Sequence, residues 1–410
     1  MLAWRFGSGG ANLCSVPRFE PFAALRYSPR LPLDEVAAPP YDVLSERDVD
    51  DLLARHPRNI VAIDVPREAD GPNRYDDAAA RLQGWIDEGT LVLDDQPSLT
   101  LYRMEFRDAT GAERRTVGVI GALEVVDEGA SGVLPHERTT PKAKTDRLDL
   151  TRATNANLSP VWGLSLTPGL TGLLAEPGEA VGECSDENGV RHSVERVTDP
   201  ARVAAITAAV ASNPVLIADG HHRYAISRTF RDEVRATRGN DTAAELTLTY
   251  VAELVEDQLS IDAIHRLYRG MTADALLDVL RTCFEPAVAG PVTAEFAGEV
   301  VRRGVLCLVR PDGTGVWLTP RTGALADVRA IDGAYLEHAL AGTDVDVSYQ
   351  HGVDHVVDLV TSGGADAGVL IRPTGIDEIR RTAHERLLMP PKSTFFTPKL
   401  RTGPVIRPLD

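Results

Sequence analysis

Apolar residues recur along the chain at two spacings, one typical of helices and the other typical of strands. In residues 75–88, Ala78 and Trp85 fall on one helical face. This pattern predicts an amphipathic helix that packs on a sheet. Residues 98–106 and 116–126 instead have strand-like patterns on either side of a turn, so they are predicted to form a β-hairpin.

The remaining patterned segments interleave strands with helices, which indicates a mixed α/β (α+β) fold. Residues 169–188 are acidic and contain several glycines, and they are predicted to be a loop. The other predicted strands are 158–166, 214–218, 246–254, 300–308, 315–318 and 367–372, and the other predicted helices are 201–211, 224–237, 272–284, 335–340 and 377–388.

The order of elements changes near residue 269. We therefore predict an N-terminal domain over residues 17–268 and a C-terminal α/β domain over residues 269–410, whose tail is a candidate to complete the functional site. Residues 1–16 contain a Gly-Ser-Gly-Gly cluster and no unbroken apolar stretch, so we expect a flexible extension outside the folded unit.

The charge of the chain limits the classes of partner that it is expected to bind. A net charge of −17 and an isoelectric point of about 5.1 argue against nucleic acid or an anionic membrane surface. No apolar run reaches the roughly 18 residues that a membrane-spanning helix needs. The four cysteines form no Cys-x-x-Cys pair, which favours a reducing, cytoplasmic setting. A small phosphorylated ligand remains compatible, and the pattern leaves the oligomeric state open.

The strongest candidate for a functional site is the segment Asp-Gly-His-His-Arg at residues 219–223, called here the 219–223 turn. It lies between a short apolar strand and a predicted helix, whose first amides carry partial positive charge. Gly220 permits close approach of a ligand, and Arg223 can hold two phosphate oxygens in a fork. His221 and His222 can donate hydrogen bonds or move protons. The turn therefore indicates a phosphate or oxyanion site.

Asp219 is the residue of this turn that does not suit an anion, because a carboxylate repels phosphate. It is a candidate general base, a candidate magnesium ligand, or the group that orients a histidine. A helix cap, with Arg223 in a surface ion pair, is the simple structural alternative.

A second candidate region is the polar stretch after residue 135. His136 and Glu137 stand side by side, where they can form an acid/base pair or bind a metal. Lys142, Lys144 and Arg147 follow and can neutralise phosphate charge. A solvated charged loop is the alternative interpretation.

Further candidates are scattered along the chain. Lys392, Ser393 and Thr394 follow Pro-Pro and offer one charge and two hydroxyls for phosphate binding, or else they belong to a structural tail. No glycine-rich loop precedes them, so a Walker-type P-loop is not expected. The candidates for substrate contacts are Tyr41, Asp42, His265 and Arg266.

Five motifs occur in order along the chain: Ala-Pro-Pro-Tyr-Asp-Val (38–43), Pro-His-Glu-Arg-Thr (135–139), Ile-Ala-Asp-Gly-His-His-Arg-Tyr (217–224), His-Arg (265–266) and Met-Pro-Pro-Lys-Ser-Thr-Phe-Phe-x-Pro-Lys-Leu (389–400). Together they resemble the uncharacterised domain-of-unknown-function family numbered ten-fifteen, and the resemblance runs from about Pro17 to Gly403. That family is named for its lack of an assigned function, so this resemblance implies little chemistry.

The 219–223 turn also resembles the phosphate-binding turns of the ParB and sulfiredoxin-like fold, a group that includes nucleotide-dependent free-serine kinases. The resemblance implies a ParB/sulfiredoxin-like core with an additional mixed sheet and helices. It further implies that residues 220–223 hold nucleotide phosphates and that a glutamate acts as the base. Glu137 is the candidate for that glutamate.

These features favour a phosphotransferase that acts on a small hydroxyl metabolite, either serine-kinase-like or phosphoserine-phosphatase-like, with ATP or ADP and Mg²⁺. Glu137, Asp219, His136 and His221 are the candidate catalytic residues. Two alternatives stay open: a metal-dependent hydrolase built on the His, Glu and Asp side chains, and a non-catalytic nucleotide-binding module.

Overall fold

The computed structural model of the protein describes residues 16–108, 111–138 and 144–410, apart from the side chains of residues 144 and 145. The chain forms two compact units. The first runs to Leu259 and includes Pro398–Asp410, and the second is Ser260–Thr397. The units divide before the sequence-based boundary at residue 268, and the end of the chain returns to the first unit. The expected extension over residues 1–16 lies outside the described residues, except for Val16.

The described strands of the first unit are β1 (Phe19–Glu20), β2 (Leu25–Tyr27), β3 (Leu91–Leu93), β4 (Leu99–Arg107), β5 (Glu113–Glu124), β6 (Val133–Pro135), β7 (Ala156–Asn157), β8 (Val161–Ser165), β9 (Glu179–Ser185), β10 (Arg191–Val197), β11 (Val215–Asp219), β12 (Leu246–Glu253) and β21 (Arg407–Pro408). Its described α-helices are α1 (Leu33–Val36), α2 (Glu46–Arg55), α3 (Val61–Asp64), α4 (Arg74–Asp87), α5 (Lys144–Thr154), α6 (Leu170–Leu173), α7 (Pro200–Val210) and α8 (His221–Arg238). Nine strands form one sheet in the order β6-β11-β8-β12-β5-β4-β10-β9, with β1 paired to β5.

The predicted hairpin lies within this sheet, and the structure confirms it. β4 and β5 pair antiparallel, with Thr100 opposite Ile120 and Arg107 opposite Glu113. β5 also pairs antiparallel with β12, whereas β12 pairs parallel with β8. The sheet is therefore mixed, and the predicted mixed α/β class is confirmed.

The predicted helix after the 219–223 turn is present, and one of its faces is apolar and buried. Ile226 and Phe230 of α8 are buried in one cluster with Leu148 of α5, and Val234 packs against that cluster. Residues three to four apart share one side of a helix, so burial of this side fixes the rotation of α8 about its axis. α8 begins one residue after the carboxyl end of β11.

The second unit has its own sheet. Its strands are β13 (Ser260–Asp262), β14 (Ile264–Arg269), β15 (Phe284–Pro291), β16 (Leu306–Val309), β17 (Thr314–Pro320), β18 (Asp346–His351), β19 (Ala367–Leu370) and β20 (Phe395–Thr397), and its helices are α9 (Ala273–Leu280), α10 (Phe296–Arg303), α11 (Asp332–Ala339), α12 (Val353–Thr361) and α13 (Ile376–Glu385). Six strands pair antiparallel in the order β15-β17-β16-β19-β14-β18. One apolar cluster joins this sheet to α9 and α11, and another joins it to α10 and α12. Among the described residues of the whole chain, no helix combines the length and apolar character that crossing a bilayer requires.

Two predictions of secondary structure are wrong. Residues 169–188, predicted as a loop, contain α6 and the strand β9, which pairs with β10 at the edge of the sheet. Edge strands tolerate charged residues, so the acidic composition of this segment masked its pairing. Residues 300–308, predicted as a strand, hold the end of α10 and the start of β16. Gly304, at φ +67°, ends the helix between them.

Gly118→Ala is expected to lower the free energy of unfolding by roughly 1–3 kcal/mol. A Cβ at this position in β5 would lie 2.3 Å from the ring of Tyr250, which is itself buried against Tyr102 and Trp162. Gly84→Ala in the exposed part of α4 is the matched control. Its Cβ would meet no atom within 4 Å, so a gain of about 0.5–1 kcal/mol is expected. Urea denaturation measures the free energy of unfolding of both variants. A Gly118→Ala protein as stable as the wild type would contradict the close packing of Tyr250 on Gly118.

Candidate functional site

Two strand ends meet at the 219–223 turn. β6 and β11 are adjacent and parallel. The carboxyl ends of parallel neighbours lie at one edge of a sheet, so His136 and Glu137 leave β6 where Asp219 ends β11. The ring centroids of His136 and His221 are 4.8 Å apart. The two candidate regions, distant in sequence, are therefore neighbours.

His136 is fully buried and is held as a neutral imidazole. Its Nδ1–H donates to the carbonyl oxygen of Ile217 at 2.5 Å. Burial lowers the pKa of His136 to about 4, although the Ile217 carbonyl and the charge of Asp219 favour the protonated form. Its Nε2 lies 3.9 Å from Oε2 of Glu137. The two side chains expected to form an acid/base pair are thus close together, and the histidine is neutral near pH 7.

Gly220 makes the turn between β11 and α8. Its φ of +83° lies in the left-handed region, and a Cβ there would lie 3.0 Å from Nε of Arg223. α8 then runs for 18 residues from His221, and no side chain of the described residues caps its start. The amides of a first helical turn have no partner within the helix and carry partial positive charge. The start of α8 is therefore suited to an anion.

Asp219 holds two cations beside the start of α8. Its Oδ2 accepts a hydrogen bond from Nη2 of Arg223 at 2.7 Å, and Nζ of Lys399 lies 3.3 Å from its Oδ1. Arg223 also donates through Nη1 to the carbonyl of Pro160. Burial disfavours the carboxylate, but Lys399 and Arg223 outweigh burial and hold the pKa of Asp219 well below its usual range. Asp219 is therefore a weak proton acceptor and a firm anchor for both cations.

Lys399, which sequence inspection missed as a site residue, arrives because the end of the chain returns to the first unit. The backbones of Ala38 and Thr402 exchange hydrogen bonds of 3.1 and 2.8 Å. The amide of Arg401 donates to Oη of Tyr102 at 3.0 Å. The one sequence signal for Lys399 is its place in the last of the five motifs, and no local pattern indicates its partner.

Arg147 of α5 is the centre of a second ionic group. Its Nη1 donates to Oδ1 of Asp64 at 3.1 Å and to the carbonyl of Asp64 at 2.5 Å, and its guanidinium lies 4.1 Å from the centre of the Tyr41 ring. Burial raises the pKa of Asp64, although Arg147 and Arg223 act in the opposite direction. The charge of Asp42 also acts on Arg223 and Tyr41. Asp64 ends a short apolar helix and belongs to none of the five motifs, so no local pattern selected it.

Arg223 joins the two groups, because it lines two cavities of the first unit. One cavity is also lined by Asp219 and Lys399. The other is also lined by Asp64 and Arg147. Burial disfavours the charge of Arg223, but Asp219 and its acidic neighbours outweigh burial and raise the pKa of Arg223. The guanidinium is thus a fixed positive charge at both cavities.

Five candidate residues lie in the second unit: His265, Arg266, Lys392, Ser393 and Thr394. His265 is buried and accepts a hydrogen bond from the amide of Ile371 at 3.2 Å, and burial lowers its pKa to about 4. Arg266 donates to the Lys392 carbonyl at 3.1 Å, and Ser393 Oγ donates to the Pro390 carbonyl at 2.7 Å. Their proposed contacts with substrate or phosphate stay predictions.

The structure describes the remaining candidate residues only in part. His222 is half-buried in the first turn of α8. Lys142 lies outside the described residues, and Lys144 begins α5. Across residues 16–108, 111–138 and 146–410, no three His, Cys, Asp or Glu side chains are grouped so that they could hold a metal ion. No described set therefore fits Mg²⁺ or a hydrolytic metal.

Acid should destabilise the first unit through His136. Its pKa is about 4 when folded, whereas an unfolded chain protonates histidine near about 6.5, so the unfolded state takes up more protons between these values. This contribution to stability is complete above about pH 6.5 and is lost toward about pH 4, by up to roughly 3 kcal/mol. His136→Asn keeps a donor for the Ile217 carbonyl and is expected to remove this pH dependence from thermal melts. His384→Asn, at an exposed histidine, should leave it unchanged, and equal melts for all three proteins would contradict the assignment.

Solved structures similar to this chain include three proteins of low sequence identity. A conserved hypothetical protein from Pyrococcus furiosus has 12% identity and a TM-score of 0.36, with 66% of this chain and 91% of that chain covered. A free serine kinase in complex with AMP has 14% identity and a TM-score of 0.38, with 68% and 88% covered. SbnI with a C-terminal truncation, from Staphylococcus aureus, has 13% identity and a TM-score of 0.40, with 70% and 86% covered.

Family membership is clearer than any of these likenesses. Curated proteins gave no match. The model of the family described as protein of unknown function (DUF1015) matches residues 19–344, which confirms the resemblance drawn from the five motifs. The chain belongs to the DUF1015 family.

Proposed function

We propose that the first unit is a phosphotransferase that binds ATP or ADP at the start of α8 and moves a phosphoryl group between the nucleotide and a small hydroxyl metabolite. The observation that carries this proposal is the placement of Arg223 and Lys399 beside the start of α8, with Arg147 lining a cavity that Arg223 also lines. The same contacts would also hold the phosphate of a phosphoserine-like substrate while water accepts the phosphoryl group, so the activity is serine-kinase-like or phosphoserine-phosphatase-like.

The overall negative charge of the protein makes this local group of cations significant. With a net charge of −17, the chain repels polyanions at long range, so a phosphate that binds must gain its affinity from local contacts. Hydrogen bonds from arginine or lysine to phosphate oxygens are among the strongest available in a protein. Asp219 already holds Arg223 and Lys399 in place, so a ligand orders fewer side chains when it binds.

Phosphoryl transfer requires mainly positioning and stabilisation of the charge on the transferred group. In the proposed complex, the first amides of α8 and Arg223 hold phosphate oxygens, and Lys399 offsets their charge. His221, in the first turn of α8, and Glu137, near His136, are the candidates for proton transfer. A bound nucleotide supplies the phosphoryl group, and any Mg²⁺ would enter with the nucleotide phosphates.

A non-catalytic nucleotide-binding module is the second candidate, and one observation favours it. Asp219 is committed to two cations and accepts protons poorly, so the turn can hold an anion without supplying a base. The two candidates differ in turnover, because only a phosphotransferase forms a phosphorylated product from a hydroxyl compound.

Gly220→Ala is expected to weaken ADP binding by about tenfold or more. The added Cβ would strain a backbone at φ +83° and press on the Arg223 side chain. Lys399→Met is expected to weaken ADP binding to a similar degree, because it removes one charge-assisted contact. Isothermal titration with ADP gives the affinities, and ligand-dependent thermal shifts check them independently.

Gly239→Ala is the matched control for the glycine variant. Gly239 ends the same helix at φ +82°, and a Cβ there would meet no atom within 4 Å. The control should lose stability from backbone strain but bind ADP as the wild type does. Wild-type ADP affinity in both Gly220→Ala and Lys399→Met would exclude a phosphate site at the start of α8.

A further inference from the structure

The cavity that Arg223 lines together with Asp64 has the character of a small-molecule site. Its lining combines apolar and charged side chains, as the linings of small-molecule sites do. Leu150 and Leu158 supply part of its apolar lining. Its charged lining residues are Asp64, Arg147 and Arg223.

Asp64 is rigidly oriented in that lining. Arg147 donates both to its Oδ1 and to its carbonyl oxygen, and only 3% of the Asp64 side chain is exposed. Among the described residues, no group is hydrogen-bonded to its Oδ2. One carboxylate oxygen is therefore anchored, and the other is available to a molecule in the cavity.

We infer that this cavity receives the hydroxyl-bearing acceptor of the proposed phosphoryl transfer, and that Asp64 is the catalytic base that takes the acceptor's proton. The inference rests on the proposed phosphotransferase function. Arg223 makes the connection, because it lines both this cavity and the one that contains Asp219 and Lys399. An acceptor at Asp64 and a phosphate at the start of α8 would thus share a guanidinium.

The transfer step balances with a nucleoside polyphosphate as the phosphoryl donor. The acceptor oxygen forms a bond to the terminal phosphorus while the bond from that phosphorus to the bridging oxygen breaks. The bridging oxygen keeps the electron pair and leaves on the shortened nucleotide. The hydroxyl proton passes to Oδ2 of Asp64, and Arg147 keeps the carboxyl group in position.

The charges of the lining indicate the class of acceptor. Arg147 and Arg223 are the cationic residues of the lining, and Asp146 and Asp219 pair with them from outside it. A small acceptor that carries its own carboxylate can pair with one of these guanidinium groups. The acceptor class is therefore a small hydroxy carboxylate, including hydroxy amino acids.

Asp64 suits the role of base better than Asp219. The two carboxylates have Arg223 as a common neighbour, yet burial raises the pKa of Asp64, whereas Lys399 and Arg223 lower that of Asp219. A general base works best when its pKa approaches the working pH, so the raised value favours Asp64. Asp219, held as a permanent anion, keeps the cations in place.

Asp64→Asn tests the inference, and Asp146→Asn is its matched control. Both aspartates accept hydrogen bonds from Arg147, but only Asp64 lines the cavity. With ADP or ATP and a panel of small hydroxy carboxylates, Asp64→Asn should bind nucleotide as the wild type does and lose about 10²- to 10⁴-fold in transfer rate. It should also lose the acidic limb of the pH–rate profile. Asp146→Asn should stay within about threefold of the wild-type rate, and circular dichroism confirms that both variants fold.

Each result tests either the inference about Asp64 and its cavity or the proposed phosphotransferase function on which that inference rests. Transfer by Asp64→Asn at the wild-type rate overturns the role of Asp64, and an equal loss in Asp146→Asn assigns the effect to Arg147 instead. If the wild type binds ADP but hydroxy carboxylates neither raise its melting temperature nor accept phosphate, the acceptor cavity is wrong while the nucleotide site stands. If glycerol, the uncharged counterpart, is accepted as well as the carboxylates, the acceptor class is wrong. If the wild type binds no nucleotide, the proposed function fails, and the inference fails with it.

Discussion

The carboxylate of Asp219 is the contact on which the candidate site depends. It lies between the guanidinium of Arg223 and the ammonium group of Lys399, which come from distant parts of the chain. Two partly buried cations without that carboxylate would repel each other and lose solvation, and an unpaired buried charge is strongly destabilising. One negative charge therefore allows the fold to keep two positive charges at the start of α8 before any ligand arrives.

Two separate parts of the fold position these charged side chains. The parallel pairing of β6 and β11 fixes the edge at which Asp219 emerges, and a left-handed glycine turns the chain directly into α8. The position of Lys399 depends instead on the contacts that anchor the last residues of the chain to the first unit. Arg407 is buried there, and its guanidinium donates to the carbonyls of Leu246 and Ala243 at 2.8 and 2.9 Å. Burial lowers the pKa of Arg407 to about 10, which still leaves it charged at neutral pH, so these hydrogen bonds persist and hold the tail in place.

Local patterns predicted the parts of the site that are contiguous in sequence. The strand before Asp219 and the helix after Gly220 follow from apolar spacing and glycine chemistry, and both are present. Lys399 and Asp64 were not selected, because their significance comes from partners far along the chain. The segment Val61–Asp64 shows only three apolar residues and an acid, which is an ordinary helical turn until Arg147 packs against it. The strand prediction for residues 300–308 is wrong for a related reason. A buried helical turn and a buried strand have similar apolar composition over so short a span.

The environments of Asp64 and Asp219 differ in a way that assigns them different chemistry. Arg223 acts electrostatically on both carboxylates, so that arginine alone does not separate them. Lys399 adds a second cation at Asp219, and the result is a carboxylate that stays ionised. At Asp64 desolvation exceeds the effect of its arginine neighbours, so protonation becomes easier. When a fold drives two neighbouring carboxyl pKa values in opposite directions, one group is suited to fixing charge and the other to moving protons. The placement of Asp64 in the lining of a cavity, rather than its identity as an acid, is what gives that division a role in the proposed catalysis.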